Sequence, residues 1–187
     1  MPEPYELTVS EAAAQIRQGT LSPVTLCQSL LDRIDRFDGD IHAWVTIDRE
    51  EVLETARRRE AEVERGDPLG PLHGVPVGLK DIFNTDGMLT AAGSRIYSEF
   101  VPDYDATSVA RIRRAGGIIL GKAVTTEFAT SDPSPTRNPW NVEHTPGGSS
   151  SGLSSHPGRR MVARRHPVPN RPRLHPAAPP VTTVSWA

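Results

Sequence analysis

The amino-acid sequence predicts a protein of the α/β class followed by a tail of different composition. The first 66 residues show apolar side chains at helical spacing, separated by serine, glycine and aspartate. Two short apolar runs follow, "GVPVGLKDIF" (residues 74–83) and "IIL" (residues 118–120), and a helical pattern lies between them. Helices that alternate with fully apolar strands indicate a sheet with helices packed on its faces.

The first two predicted helices have clear start signals. "TVSE" (residues 8–11) fits a capping box, and the helix that it opens is expected to end at Gly19. Ser22 and Pro23 supply an N-cap and a proline at the first position of the second helix. The apolar face of that helix is formed by residues at helical spacing: Val24, Cys27, Leu30, Leu31 and Ile34.

Two further helices complete the predicted order. The third is expected to begin at Asp48, with Glu51 closing another capping box, and to end near Gly66. Asp105 is expected to cap the fourth helix, which ends at Gly116. The apolar runs on either side of the fourth helix are short and rich in β-branched residues, which favours buried strands.

Charge divides the chain into two unequal parts. Residues 1–152 carry 15 of the 21 Lys and Arg and all 23 Asp and Glu, a net charge of −8. Residues 153–187 carry six arginines, no acidic residue and seven of the 18 prolines. A segment with little apolar content and many prolines cannot bury enough surface to fold. We therefore expect one domain over residues 1–152 and a disordered tail over residues 153–187.

The sequence also narrows the location and the class of protein. Cys27 is the single cysteine, so the chain has no internal disulfide, and a reducing cytoplasm is the expected location. Residues 1–15 lack the basic and apolar regions of a signal peptide, and no apolar run approaches the ~20 residues that span a bilayer. The six histidines are scattered without cysteine partners, so no metal site is predicted.

Lys80 is the first candidate for chemistry, because it lies among the apolar side chains of "PVGLKDIF". A lysine in such a place is most often a solvated strand end. If the ammonium is desolvated instead, its pKa falls, and a neutral lysine can act as a general base, which arginine cannot. Asp81 is adjacent but is expected to point to the opposite face of the strand, so the two are not paired.

The second candidate is the glycine–serine segment "PGGSSSG" (residues 146–152). By itself it is typical of a flexible loop. It lacks the Gly-Lys-Ser/Thr of a phosphate-binding loop. Ahead of it, "NPWNVEHTP" is rich in turn residues, and Trp140 within it is expected to pack as a lid or a core aromatic.

Taken together, three motifs in order are specific: "GVPVGLKDIFNTDG", "DATSVARIRRAGGIILGKAVTTEFA" and "NPWNVEHTPGGSSSG". Their order and spacing resemble the N-terminal part of the amidase signature family, over roughly residues 5–152. The resemblance implies a partial amidase fold, a mixed sheet flanked by helices, and an intact enzyme that hydrolyses a small carboxamide substrate without a cofactor. The A subunit of a tRNA-dependent amidotransferase, which needs partner subunits, is an equally open alternative.

The resemblance also implies roles for two residues of a Ser–Ser–Lys triad. Lys80 corresponds to the base, and Ser149 corresponds to the bridging serine that relays the proton from the nucleophile. The peptide bond Gly148–Ser149 is expected to be cis. Backbone N–H groups beside the nucleophile are expected to form the oxyanion hole.

The tail departs from the family pattern. The nucleophilic serine is expected in a Thr-Gly-Gly-Ser type turn near position 173, which is Arg173 here, and no such turn follows. We therefore expect this chain to be a truncated, inactive member. Back-translation of residues 153–178, read one nucleotide later, permits "SAAIRAAGWWPAAIRCQTGPGSILRP", which resembles the family's continuation. Our hypothesis is a one-nucleotide insertion or sequencing error after the Gly152 codon.

A different class of function stays open for the tail. Its six arginines could contact phosphates, and its prolines could present a polyproline II helix to a partner domain. Trp186 is its only aromatic residue, so the interleaving of basic and aromatic residues that favours nucleic-acid binding is absent. A nucleic-acid partner is therefore not expected. A membrane partner is not expected either, because the chain has no long apolar run.

Overall fold

The computed structural model describes residues 3–130, 132–159 and 183–184. In chain order the regular elements are α1 (Val9–Arg17), α2 (Pro23–Ile41), β1 (Trp44–Thr46), α3 (Arg49–Glu64), β2 (Pro76–Lys80), α4 (Thr107–Arg114), β3 (Ile118–Ala123), α5 (Ser151–Arg159) and β4 (Thr183–Val184). Within these described ranges, no helix has both the length and the apolar character needed to cross a bilayer.

The strands form one mixed sheet in the order β1-β3-β2-β4, so the α/β class and the mixed sheet are confirmed. Strand β3 runs parallel to β2 and antiparallel to β1. The two-residue strand β4 lies parallel to β2 on its other side. Every residue of β2 and β3 is buried, as expected for parallel strands that are covered on both faces.

The predicted caps of α1 and α2 are present. The Thr8 hydroxyl accepts a hydrogen bond from the backbone N–H of Glu11 at 3.2 Å, and the Glu11 carboxylate accepts one from the backbone N–H of Thr8 at 2.7 Å. The Ser22 hydroxyl accepts from the N–H of Val24 at 3.1 Å, and Pro23 opens the helix. Each cap accepts hydrogen bonds from backbone N–H groups that the first turn of the helix leaves unpaired. The local sequence is therefore enough to place the first residue of each helix.

Helix α3 begins as predicted, but only the Asp48 side-chain hydrogen bond of the expected capping box is observed. The Asp48 carboxylate accepts from the backbone N–H of Glu51 at 3.0 Å. The Glu51 carboxylate accepts from the hydroxyl of Thr55 at 2.9 Å, one turn further into the helix.

The predicted cap at Asp105 is wrong. Helix α4 has Ala106 at its N-cap position, without a side-chain cap. The Asp105 carboxylate lies 2.9 Å from the guanidinium of Arg113 and accepts from the backbone N–H of Asp86 at 2.9 Å. These partners take the oxygen atoms that would otherwise serve the helix.

The core lies on the two faces of the sheet. Helices α1 to α3 and one face enclose a large cluster, in which Leu30 and Leu31 of α2 are fully buried. Helix α4 covers the other face, where Val109 packs near Val77 and Leu79 of β2. Burying a side chain of this size stabilises the fold by about 1.5–3 kcal/mol. Strand β3 contributes residues to both clusters and is paired with β2 up to Lys80, so the sheet fixes the end of β2.

Helix α5 spans the predicted domain boundary at residue 152 and continues to residue 159. Leu153 is buried, and its side chain lies beside Gly78 of β2. Ser154 donates from its hydroxyl to the carbonyl oxygen of Ser150, within the first turn of α5. The contact between helix α5 and the sheet thus includes Leu153, which composition alone assigns to the tail. Residues 160–182 and 185–187, where most of the predicted disorder falls, lie outside the described residues.

Candidate active site

Lys80 ends strand β2 and points into a buried environment. Its side chain is 3% exposed, so the interpretation as a solvated strand end is wrong. The Nζ atom donates to the hydroxyl oxygen of Ser149 at 2.6 Å. Burial disfavours the charged ammonium and lowers the pKa of Lys80 from its ordinary value. The lysine is therefore placed to exchange a proton with this serine.

Ser149 is also held through its backbone. Its carbonyl oxygen accepts from the backbone N–H of Thr126 and from the hydroxyl of Thr125, both at 3.0 Å. These two threonines lie within three residues of the end of strand β3, next to the end of β2 where Lys80 lies. The sheet thus brings together two residues that are far apart in sequence.

The Gly148–Ser149 peptide bond is cis. A Cβ atom added at Gly148 would lie 2.9 Å from the Cγ2 atom of Thr126, so the backbone here approaches its neighbour too closely for a side chain. Gly147 has a φ of +89°, in the region that favours glycine. The segment that is typical of a flexible loop when taken by itself is instead a specific turn that presents Ser149 to Lys80.

A cavity of about 410 Å³ opens beside this turn. Its walls are small and uncharged: Thr126, Ala129, Thr130, Pro133, Thr145, Gly147, Gly148 and Ser149. Phe128 and Ala129 in the wall segment have φ values of 47° and 57°, which L residues rarely adopt. Ser149 therefore lies in the wall of this cavity.

A second buried lysine, Lys122 of β3, was not singled out from the sequence. It is 0% exposed, and its Nζ atom lies 3.2 Å from the carboxylate of Asp81, which is also 0% exposed. Asp81 therefore pairs with Lys122 and not with Lys80, in agreement with the alternation of side chains along a strand. Burial raises the pKa of Asp81, and the charge of Lys122 opposes that rise.

One signal in the sequence could have revealed Lys122. The chain has 21 Lys and Arg, and Lys80 and Lys122 are its only lysines. Both are almost fully buried. An ammonium is more compact than a guanidinium and loses its proton more readily when buried, so lysine suits both places.

Trp140 does not have the predicted role of a lid or a core aromatic. It is 73% exposed, because the turn formed by Asn138 and Asn141 directs it to solvent. The side-chain oxygen of Asn138 accepts from the backbone N–H of Trp140 at 2.9 Å and fixes that turn.

Fold and geometry together define a class: an α/β protein with a buried lysine hydrogen-bonded to a serine in a glycine-rich turn. Comparison with known proteins gives the family. The profile of the amidase family matches residues 25–163, and the chain belongs to this family. The match continues past Gly152 into helix α5.

Curated relatives and solved structures agree with this assignment. The glutamyl-tRNA(Gln) amidotransferase A subunit of Streptomyces coelicolor is 42% identical over 161 residues, 83% of this chain and 32% of the relative. Its counterpart in Thermobifida fusca is 44% identical over 161 residues, again 83% and 32%. The peptide amidase of Stenotrophomonas maltophilia is 36% identical, with a TM-score of 0.79 over 86% of this chain and 36% of that chain. The chain thus spans about a third of the length of these relatives.

Proposed function

We propose that Lys80 and Ser149 form the proton-relay part of an amide-hydrolysing site. The observation that carries this proposal is the 2.6 Å hydrogen bond between the buried Lys80 Nζ and the Ser149 hydroxyl. A lysine whose pKa is lowered by burial is a better general base near neutral pH than a solvated lysine. The small, uncharged cavity beside Ser149 supports a small carboxamide as the substrate.

In the proposed reaction, neutral Lys80 takes the hydroxyl proton of Ser149 while Ser149 takes the proton of an attacking hydroxyl. The oxygen of that nucleophile forms a bond to the amide carbonyl carbon. When the tetrahedral intermediate collapses, the carbon–nitrogen bond breaks, and the proton returns through Ser149 to the leaving nitrogen. Water then attacks the resulting ester by the same relay in reverse, which releases the acid and restores the nucleophile.

We further propose that this chain does not complete the reaction by itself. Within the described residues, the hydroxyl that Lys80 contacts is that of Ser149, and no second serine is assigned as nucleophile. The basic sequence after Gly152 supports the hypothesis of a one-nucleotide shift, since the codons of residues 170–175 permit a Thr-Gly-Pro-Gly-Ser turn in the shifted frame. Sequencing the gene around this codon tests that hypothesis directly, and a clean in-frame reading matched by the mass of the natural protein contradicts it.

A second function has equal support. The curated relatives named above are glutamyl-tRNA(Gln) amidotransferase A subunits, at 42% and 44% identity. In that case the same Lys80–Ser149 pair would release ammonia from an amide donor for transfer to glutamyl-tRNA, and the chain would work with partner subunits in the cytoplasm. Ammonia release that depends on added partner subunits favours this function, whereas hydrolysis of simple carboxamides by the chain alone favours an amidase.

The test compares the protein made from the gene with one nucleotide deleted after the Gly152 codon with the chain of 187 residues. Ammonia release from a panel of carboxamides is the readout. We expect turnover only from the frame-restored protein, and a loss of about 10²–10⁴-fold in Lys80→Ala and Ser149→Ala. Ser98→Ala, at an exposed serine away from the cavity, is the control and should retain activity. Lys80-dependent turnover by the chain of 187 residues would show that a nucleophile lies within it.

A further inference from the structure

The Lys122 ammonium is the centre of a buried polar cluster. Its Nζ atom lies 3.2 Å from Asp81 Oδ1. The same atom donates to three further oxygens: Thr90 Oγ1 at 2.6 Å, the Phe83 carbonyl at 2.9 Å and the Leu89 carbonyl at 3.4 Å. Four partners around one ammonium leave it no room for water, and all of them belong to the segment that follows Lys80.

Two of these partners fix the turn that begins at Lys80. The Lys80 carbonyl oxygen accepts from the backbone N–H groups of Ile82 at 2.8 Å and Phe83 at 3.1 Å. The Asp81 carboxylate and the Phe83 carbonyl oxygen both contact the Lys122 Nζ atom. Because Lys122 lies on β3, these contacts tie the end of β2 to the neighbouring strand just where the Lys80 side chain leaves it.

The other partners lead toward Ser149. Beyond Thr90, the carbonyl oxygen of Ala92 accepts from the backbone N–H of Phe128 at 2.8 Å. A Cβ atom added at Gly93 would lie 2.8 Å from the carbonyl oxygen of Thr125, so the two backbones are in close contact. Thr125 in turn donates from its hydroxyl to the Ser149 carbonyl oxygen at 3.0 Å. One continuous set of contacts therefore joins Lys122 to both members of the Lys80–Ser149 pair.

We propose that the buried Asp81–Lys122 ion pair is a positioning device that keeps the Lys80 amine within hydrogen-bond distance of the Ser149 hydroxyl. Its importance for catalysis rests on the function proposed above, whereas the geometry can be tested without turnover. Neither residue touches the cavity, so both act through the segments that they hold. Asp81 fixes the turn after Lys80, and Lys122 joins that turn to the loop that abuts Thr125.

The two lysines make a direct test possible. Protein labelled with ¹³C at the lysine ε-carbon gives two side-chain signals, and the loss of one in a Lys122 variant assigns the other to Lys80. Ser149 accepts a hydrogen bond from Lys80 and stabilises its charged form, so Ser149→Ala should lower the pKa of Lys80. The size of that shift measures how closely the two side chains are held.

The decisive protein is the double variant Asp81→Asn, Lys122→Met, which keeps the net charge of the chain. We expect it to remain folded, since removing both members of a buried pair leaves no unpaired buried charge. In this background Ser149→Ala should no longer shift the pKa of Lys80. Leu30→Ala, which lowers stability in the helical cluster, is the control and should keep the full shift.

The proposal would be overturned if, in the folded double variant, Ser149→Ala still shifted the pKa of Lys80 by the full amount. If the double variant does not fold, Thr90→Val decides the matter, because it removes one partner of Lys122 without changing any charge. If Ser149→Ala shifts the pKa of Lys80 less in the Thr90→Val protein than in the wild type, the proposal is supported. A shift of the same size contradicts it. A frame-restored protein that shows the full shift but hydrolyses no amide would contradict the proposed function and leave the positioning role standing.

Discussion

Gly152 donates its backbone N–H to the carbonyl oxygen of Val124 at 2.9 Å and so fastens the start of helix α5 to the end of strand β3. A Cβ atom at this position would lie 2.1 Å from the carbonyl oxygen of Ala43 and 2.7 Å from the backbone nitrogen of Val124. Both obstacles are backbone atoms that cannot rotate away. The glycine is therefore a structural requirement of the turn that carries Ser149.

Gly152→Ala is expected to destabilise the protein by about 1–3 kcal/mol, the usual cost of forcing extra atoms into a packed site. The midpoint of urea denaturation measures it. Gly39→Ala is the matched control, since Gly39 lies exposed in α2 with no atom within 4 Å of an added Cβ. That change should leave stability unchanged or raise it by up to about 1 kcal/mol. Equal midpoints for the two variants would contradict the docking of α5.

Ala92→Gly is expected to leave stability unchanged or raise it. Ala92 has a φ of 51°, which costs an L residue about 1–2 kcal/mol, whereas glycine adopts it freely. The greater entropy of glycine in the unfolded chain offsets about 0.5–1 kcal/mol of the gain. Ala115→Gly makes the same chemical change at a φ of −75° and should only destabilise. If Ala92→Gly lowered the free energy of unfolding as much as Ala115→Gly, the backbone of Ala92 would not be left-handed in solution.

Local and distant interactions explain which parts of the fold the sequence could predict. The caps at Thr8 and Ser22 depend on residues within three positions, so a short pattern is enough to place them. The cap at Asp105 was wrong because the carboxylate has a partner, Asp86, that only the folded chain brings near. Lys80 and Ser149 were found through motifs, and their hydrogen bond across 69 positions was implied by the resemblance, since periodicity gives no distance between separate segments.

Cys27 is expected to be unreactive in the folded protein. Burial raises the pKa of its thiol to about 12, so very little thiolate is present at pH 8. A disulfide reagent such as DTNB should therefore release no colour from native protein and one equivalent after unfolding in urea. Rapid reaction of the native chain at pH 8 would show that helix α2 opens readily. If the reagent reacts only on unfolding, its rate reports the stability of the helical cluster.

Lys80 is expected to add a contribution to stability that rises with pH in alkaline solution, opposite in sign to the contribution of the buried Cys27 thiol, whose pKa is raised. Burial lowers the pKa of Lys80 in the folded protein below its ordinary value of 10.5, so between these two values the unfolded chain binds more protons. The Lys80 contribution to the free energy of unfolding must then increase with pH, by at most about 1.4 kcal/mol per pH unit for one proton. Burial also lowers the pKa of Lys122, which adds in the same direction.

Lys80→Met removes one of these two groups and separates their contributions. The variant should be at least as stable as the wild type at pH 7, because methionine carries no charge that must be desolvated. Its free energy of unfolding should gain less with rising pH than that of the wild type, since the Lys80 contribution is removed while those of Lys122 and Cys27 stay the same. Urea denaturation at pH steps from 7 to the limit set by alkaline unfolding measures both effects. A Lys80→Met slope as steep as that of the wild type would mean that Lys80 stays protonated in the folded chain, and the proton relay proposed for Ser149 would lose its base.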